Sequence, residues 1–121
     1  MSRTLLIVED EIELCELISM QFDLPDVKII ECHSSEEAYD WLTKENVDLV
    51  ITDLTMPVMN GLELIDKCHR ELSYKPTFYL MTGYAGYNEA DLKTKGVQRF
   101  FQKPDDMSVL IEESTKFLTA P

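Results

Sequence analysis

Basic residues are scarce in this chain: 11 lysines and arginines stand against 23 acids in 121 residues, a formal net charge of −12. Such a surface repels a nucleic-acid backbone or an anionic membrane, so it suits a protein partner or a cation better. Cysteine is also sparse. Cys15, Cys32 and Cys68 make an odd count without CxxC spacing, which argues against a disulfide framework or a cysteine metal cage and leaves buried free thiols as the expectation. Long apolar runs are missing too. Glu9-Asp10-Glu11 interrupts Leu5 to Val8 at once, so no signal segment or membrane span is expected, and a soluble, cytoplasmic protein is. No linker, repeat or low-complexity stretch divides the sequence. With 45% hydrophobic residues the chain is long enough for one core and too short for two, so residues 1–121 are expected to form one domain.

What is present is a regular alternation of apolar runs and amphipathic segments. Thr4 to Val8 reads as a buried strand, and Ile12, Cys15, Ser19 and Phe22, joined by Leu14, Leu17 and Ile18, recur at helical spacing until Leu24-Pro25. Val27 to Cys32 is a second strand. Ser34 followed by Glu37 is a capping-box start for a helix through about Glu45, and Asn60 with Glu63 repeats the device before Leu62, Ile65, Cys68 and Leu72. Between those helices Leu49-Val50-Ile51 makes a third strand that stops at Thr52-Asp53. Thr77 to Met81 and Val97 to Gln102 complete five strands, with a helix from Asn88 to Lys95 between them and a last helix faced by Met107, Leu110, Ile111, Ser114, Phe117 and Leu118. The Asn88 helix has only Ala90 and Leu92 to bury, so it is expected to be the most mobile. Five strand-helix alternations imply βαβ crossovers and a parallel sheet.

Parallel strands bring their C-terminal ends to one rim, where open α/β sheets place their chemistry. The stretch LVITDLTMPVMNG, Leu49 to Gly61, delivers Asp53 to that rim beside a tight loop set by Pro57 and Asn60-Gly61. Glu9 and Asp10 end the first strand, Thr82 the fourth and Lys103-Pro104 the fifth. Three converging carboxylates recruit a hard cation, and Mg²⁺ keeps enough of its waters to leave room for a phosphate oxygen. A hydroxyl and a lysine complete what phosphoryl transfer needs. Asp10 also has a simpler role open to it as N-cap of the first helix, with Glu13 three residues on.

Five separated anchors, Glu9-Asp10, Asp53 to Pro57, Gly61, Thr82 and Lys103-Pro104, stand in the order found in response regulator receiver domains, and the chain resembles that family over its whole length. The resemblance implies a flavodoxin-like (βα)5 three-layer sandwich with a parallel five-stranded sheet in the order 2-1-3-4-5. Lys28, Glu31, Gln98, Arg99 and Gln102 interrupt the second and fifth strands, in keeping with half-wet margins. By the same resemblance Asp53 is the phosphoacceptor. Glu9, Asp10, Asp53 and the backbone carbonyl of Thr55 hold Mg²⁺, Thr82 and Lys103 contact the phosphoryl group, and the Lys103-Pro104 bond is cis. The donor is a phosphohistidine on a sensor histidine kinase or phosphotransfer protein. Thr82 and Phe100 form the switch that alters the helix 4, strand 5 and helix 5 face for a downstream protein target. Such a protein is not an enzyme in the ordinary sense; it assists its own phosphorylation and dephosphorylation.

Phe100, at the switch position, has no hydroxyl to fix a rotamer, which implies looser switching than with tyrosine. Three positions stand out against the family pattern: Glu9 where aspartate is commoner, Gly83 in place of the usual alanine, which leaves the site open, and Tyr84. Tyr84, two residues after Thr82, is positioned to slow acyl-phosphate hydrolysis; an unchanged or longer phosphoryl lifetime in Tyr84→Ala would refute that expectation. Competing readings fit less well. A haloacid-dehalogenase-type phosphohydrolase needs a second acid where Thr55 stands, and a flavodoxin-like cofactor binder would meet Glu9-Asp10-Glu11 in place of a phosphate loop. A phosphorylation-independent receiver-like scaffold remains the alternative.

Overall fold

A computed structural model describes residues 2–83 and 86–121. Tyr84, and with it the expectation about phosphoryl lifetime, lies outside the described residues. The elements run β1 (Arg3–Val8), α1 (Ile12–Met20), β2 (Val27–Cys32), α2 (Ser35–Lys44), β3 (Leu49–Asp53), α3 (Gly61–Glu71), β4 (Thr77–Thr82), α4 (Glu89–Thr94), β5 (Arg99–Gln102) and α5 (Met107–Thr119). All strand pairs are parallel and the order is β2-β1-β3-β4-β5, as the resemblance implies.

Alternation along each strand divides the core between the two faces of the sheet. Leu6, Val8, Val50, Phe78 and Leu80 pack with Leu64, Ile65 and Cys68 of α3, Leu42 of α2 and Leu92 of α4. Their neighbours Leu5, Ile7, Leu49, Ile51, Tyr79 and Met81 point the other way, onto Cys15 and Ile18 of α1 and Leu110 and Leu118 of α5. β3 is buried throughout, whereas β2 and β5 alternate with partly exposed residues, which places the interrupted strands at the margins. Cys15, Cys32 and Cys68 are buried free thiols that burial pushes up to about 12, so they stay protonated. Met56 and Met81 are buried in the core, and Met59 packs against it partly buried.

Several local expectations are corrected. α1 ends at Met20, and Ile12 and Leu17, grouped by sequence with the buried positions, are exposed. Asp10 does not cap α1. Glu11 occupies the N-cap position without a side-chain bond, and Glu9 Oε2 accepts the Glu11 N–H at 3.1 Å. The Asn60–Glu63 capping box is complete, but Glu37 reaches past Ser34 to the N–H of His33, at 2.9 Å. β5 begins at Arg99 because Val97 is used to close α4. Its N–H bonds to Leu92 O while Gly96, at φ +97°, bonds to Lys93 O, a helix stop that requires the left-handed conformation glycine adopts freely. Only Leu92 of α4 is buried; Ala90 faces solvent. α5 is stapled back to β1 by Arg3, whose guanidinium donates to Phe117 O at 2.6 Å and Ala120 O at 2.7 Å, satisfying carbonyls at the end of the helix.

Candidate functional site

Each strand ends where the sequence places a polar residue. β3 runs without interruption to Asp53, and Leu54 N–H extends the ladder by bonding to Met81 O at 2.8 Å. Thr52 Oγ1 donates to Asp53 O at 3.0 Å, and the N–H of Gly61 donates to Leu54 O at 2.9 Å. The start of α3 presses so closely on this corner that a Cβ on Gly61 would lie 2.6 Å from Asp53 O. The Asp53 main chain is therefore fixed from both sides, and its carboxylate is buried at the rim. Thr55 N–H approaches Asp53 Oδ1 at 3.4 Å.

Glu9, Asp10 and Asp53 bring one carboxylate oxygen each within 4.8 Å of one another, with Glu9 and Asp53 buried and Asp10 exposed. An all-oxygen set of this size, with one exposed member, fits a hard cation that keeps part of its water shell. Lys103 Nζ lies 2.9 Å from Glu9 Oε1 and 3.1 Å from Asp53 Oδ2. Burial pushes the Glu9 carboxyl up to about 6, with Asp53 adding to the rise, against the lowering pull of Lys103 and the Glu11 N–H. Burial acts to lower the Lys103 ammonium, but Glu9 and Asp53 together hold it above its ordinary value. Thr82 is buried at the end of β4, and its carbonyl accepts the Lys103 N–H at 2.8 Å. Among the described residues nothing stands within 4 Å of a Cβ built on Gly83. Phe100 pairs with Leu80 in the β4–β5 register and packs, half-buried, on the face that carries α4. The Lys103-Pro104 peptide is cis.

Two supporting residues were not visible as such in the sequence. Asp106 Oδ2 accepts the Gln102 N–H at 2.9 Å while its own N–H bonds to Gln102 O at 2.8 Å, so the loop carrying Lys103 is clamped at both ends. An aspartate just ahead of an amphipathic run was the available signal, but it reads as an ordinary helix cap. His33, which carried no signal in sequence, sets its Nδ1 3.2 Å from Glu9 O and supports the turn that presents the acids.

The family model for the response regulator receiver domain matches residues 5–115. The chemotaxis protein CheY homolog of Campylobacter jejuni is 35% identical over 114 residues, covering 90% of this chain and 87% of that protein. The transcriptional regulatory protein FlgR of Helicobacter pylori is 39% identical over 108 residues, 88% of this chain but only 27% of FlgR, and the chain likewise spans 29% of response regulator GtcR of Aneurinibacillus migulanus. Among solved structures, response regulator TrrA of Thermotoga maritima in complex with Mg²⁺-BeF superposes with a TM-score of 0.80 at 28% identity, covering 96% of this chain and 99% of that one. A receiver domain from Methanospirillum hungatei shares the fold at a TM-score of 0.84 and 23% identity, over 98% of this chain and 94% of its own. The chain belongs to the response regulator receiver domain family of two-component signalling.

Proposed function

We propose that this chain is the phosphoacceptor of a two-component phosphorelay and that Asp53 takes the phosphoryl group from a phosphohistidine donor. The observation that carries the reading is the meeting of Glu9, Asp10, Asp53 and Lys103, from three different strand ends, around one point at the rim. Glu9, Asp10 and Asp53, with the Thr55 carbonyl, are the residues that would hold Mg²⁺. When bound, the ion supplies charge neutralisation for the transferring group. A carboxylate oxygen of Asp53 attacks phosphorus, the phosphorus–nitrogen bond breaks, and the imidazole leaves. Lys103 exchanges its contact with Asp53 for a phosphoryl oxygen, and the Thr82 hydroxyl takes another. The chain thereby assists its own modification and acts on no separate substrate.

Output follows from the same exchange. The Lys103 N–H bond to Thr82 O and the Leu80–Phe100 pairing tie the site to β5, so movement of Thr82 biases Phe100 and the face made by α4, β5 and α5. That face would meet a downstream protein. Incubation with Mg²⁺ and acetyl phosphate, followed by intact mass measurement, tests the reading. It predicts one added phosphoryl group in the native chain and none in Asp53→Asn. An unmodified native chain would favour a phosphorylation-independent scaffold.

A further inference from the structure

Helix α5 begins on an aspartate whose side chain does not cap it. Ser34, Asn60 and Asn88 stand at the N-cap positions of α2, α3 and α4, and the side chain of each accepts an N–H from its own helix. Asp106 holds the same position before α5, and its carbonyl accepts the Leu110 N–H at 2.9 Å as that of a cap should. Among the described residues, however, its side chain bonds to no N–H of the helix. Aspartate is one of the strongest capping residues, so a carboxylate at this position that leaves the helix alone is committed to something else.

That commitment is to the end of β5. Asp106 Oδ2 accepts the Gln102 N–H at 2.9 Å and the Asp106 N–H donates to Gln102 O at 2.8 Å, so a single residue meets both main-chain groups of the last position in the strand. β5 is a margin of the sheet and only 4 residues long, which leaves little else to hold its end. The next residue is Lys103. Its N–H is tied to Thr82 O at 2.8 Å, and its side chain then crosses the rim to set Nζ 2.9 Å from Glu9 Oε1 and 3.1 Å from Asp53 Oδ2. A lysine is a point charge on a flexible stem, so it is delivered to a fixed place only from a fixed root.

We propose that Asp106 is a positioning residue for phosphoryl transfer: its carboxylate holds the main chain at Gln102 and thereby sets where the Lys103 ammonium stands between Glu9 and Asp53. The proposal rests on the phosphoacceptor reading, in which that ammonium passes onto a phosphoryl oxygen as the new bond forms. Asp106 acts through the lysine alone. A loose Lys103 root slows transfer, because the ammonium no longer waits where charge develops. The same looseness frees Glu9 and Asp53 from a competing positive charge, so a divalent cation is bound more tightly even as transfer slows. Damage to the fold would weaken both.

Substitutions at Asp106 separate this role from helix capping and from charge. Asp106→Asn loses the charge and keeps an oxygen for the Gln102 N–H, Asp106→Ser keeps a good cap for α5 but is too short to reach Gln102, and Asp106→Ala loses both. Labelling by acetyl phosphate at saturating Mg²⁺ is followed by intact mass, and Mg²⁺ affinity is measured by calorimetry without a phosphoryl donor. Asp106→Asn is expected to label within about 2-fold of the native rate, and Asp106→Ser and Asp106→Ala about 10- to 100-fold more slowly. The two slow variants should bind Mg²⁺ at least about 2-fold more tightly than Asp106→Asn, which carries the same change of charge. Native labelling by Asp106→Ser, or an Asp106→Asn as slow as Asp106→Ala, would overturn the assignment. So would Mg²⁺ affinities that are equal across the variants or that fall in step with the rate. A native chain that takes no phosphoryl group would remove the phosphoacceptor reading instead, and the order of Mg²⁺ affinities would still decide whether Asp106 places Lys103.

Discussion

Lys103 Nζ bridges two acids, 2.9 Å from Glu9 Oε1 and 3.1 Å from Asp53 Oδ2. Glu9 has both oxygens occupied, one by Lys103 and the other by the Glu11 N–H. Even so, burial leaves its carboxyl raised to about 6 from an ordinary 4.5. A group that binds its proton more tightly when folded stabilises the native state below its unfolded pKa and loses that contribution as pH rises through the folded value. The window is therefore from 4.5 to about 6, and the loss above it is about 2 kcal/mol at most.

Glu9→Gln removes that penalty. In the presence of EDTA the variant should have a higher urea midpoint than the native chain at pH 7.5, and the difference should vanish near pH 4. Its Mg²⁺ affinity, measured by calorimetry, should fall. A variant less stable than native at pH 7.5 would show that the Lys103 pair outweighs burial.

Gly61 and Gly83 should respond oppositely to alanine. A Cβ at Gly61 meets backbone, Asp53 O at 2.6 Å and Leu54 Cα at 3.2 Å, so β3 and α3 must separate. Gly61→Ala is expected to cost about 1–3 kcal/mol in chemical denaturation and to slow labelling by acetyl phosphate. Gly83→Ala meets nothing among the described residues and should leave stability within about 0.5 kcal/mol of native. Equal effects at the two positions would contradict the tight corner at Asp53.

Two hydroxyls far from the rim make a matched contrast. Tyr74 OH accepts the Val47 N–H at 3.1 Å and has Glu45 O at 2.7 Å and Leu42 O at 2.9 Å to donate to, which secures the end of α2. Ser114 Oγ is buried in α5 and, among the described residues, has no hydrogen-bond partner. Tyr74→Phe should therefore destabilise by about 1–3 kcal/mol. Ser114→Ala should raise stability by about 0.5–1 kcal/mol, because it removes an unpaired hydroxyl and improves helix propensity. Thermal melts of the two variants check both signs, and a destabilised Ser114→Ala would point to a bond from that hydroxyl.

The site was more legible in sequence than the edges of the elements, for a physical reason. Glu9, Asp10, Asp53, Thr82 and Lys103 each interrupt or end an apolar run, and the strand-end rule converts such a break into a position. Periodicity is weaker evidence where apolar residues also serve a surface. Ile12 and Leu17 match the helical spacing of α1 yet face outward, and Val97 matches a strand yet closes α4. The roles of Asp106 and Arg3 depend on hydrogen bonds to distant or turning backbone, which no local pattern encodes.

The phosphoryl group itself locates the acceptor. Borohydride reduction of the acetyl phosphate-treated chain converts an acyl phosphate to the corresponding alcohol, and tandem mass spectrometry of the peptide spanning β3 reads its position. The expected result is homoserine at position 53 alone, dependent on Mg²⁺ and lost in Lys103→Ala. Reduction at Asp10 or Glu9, or at no residue in the chain, would contradict the assignment of Asp53.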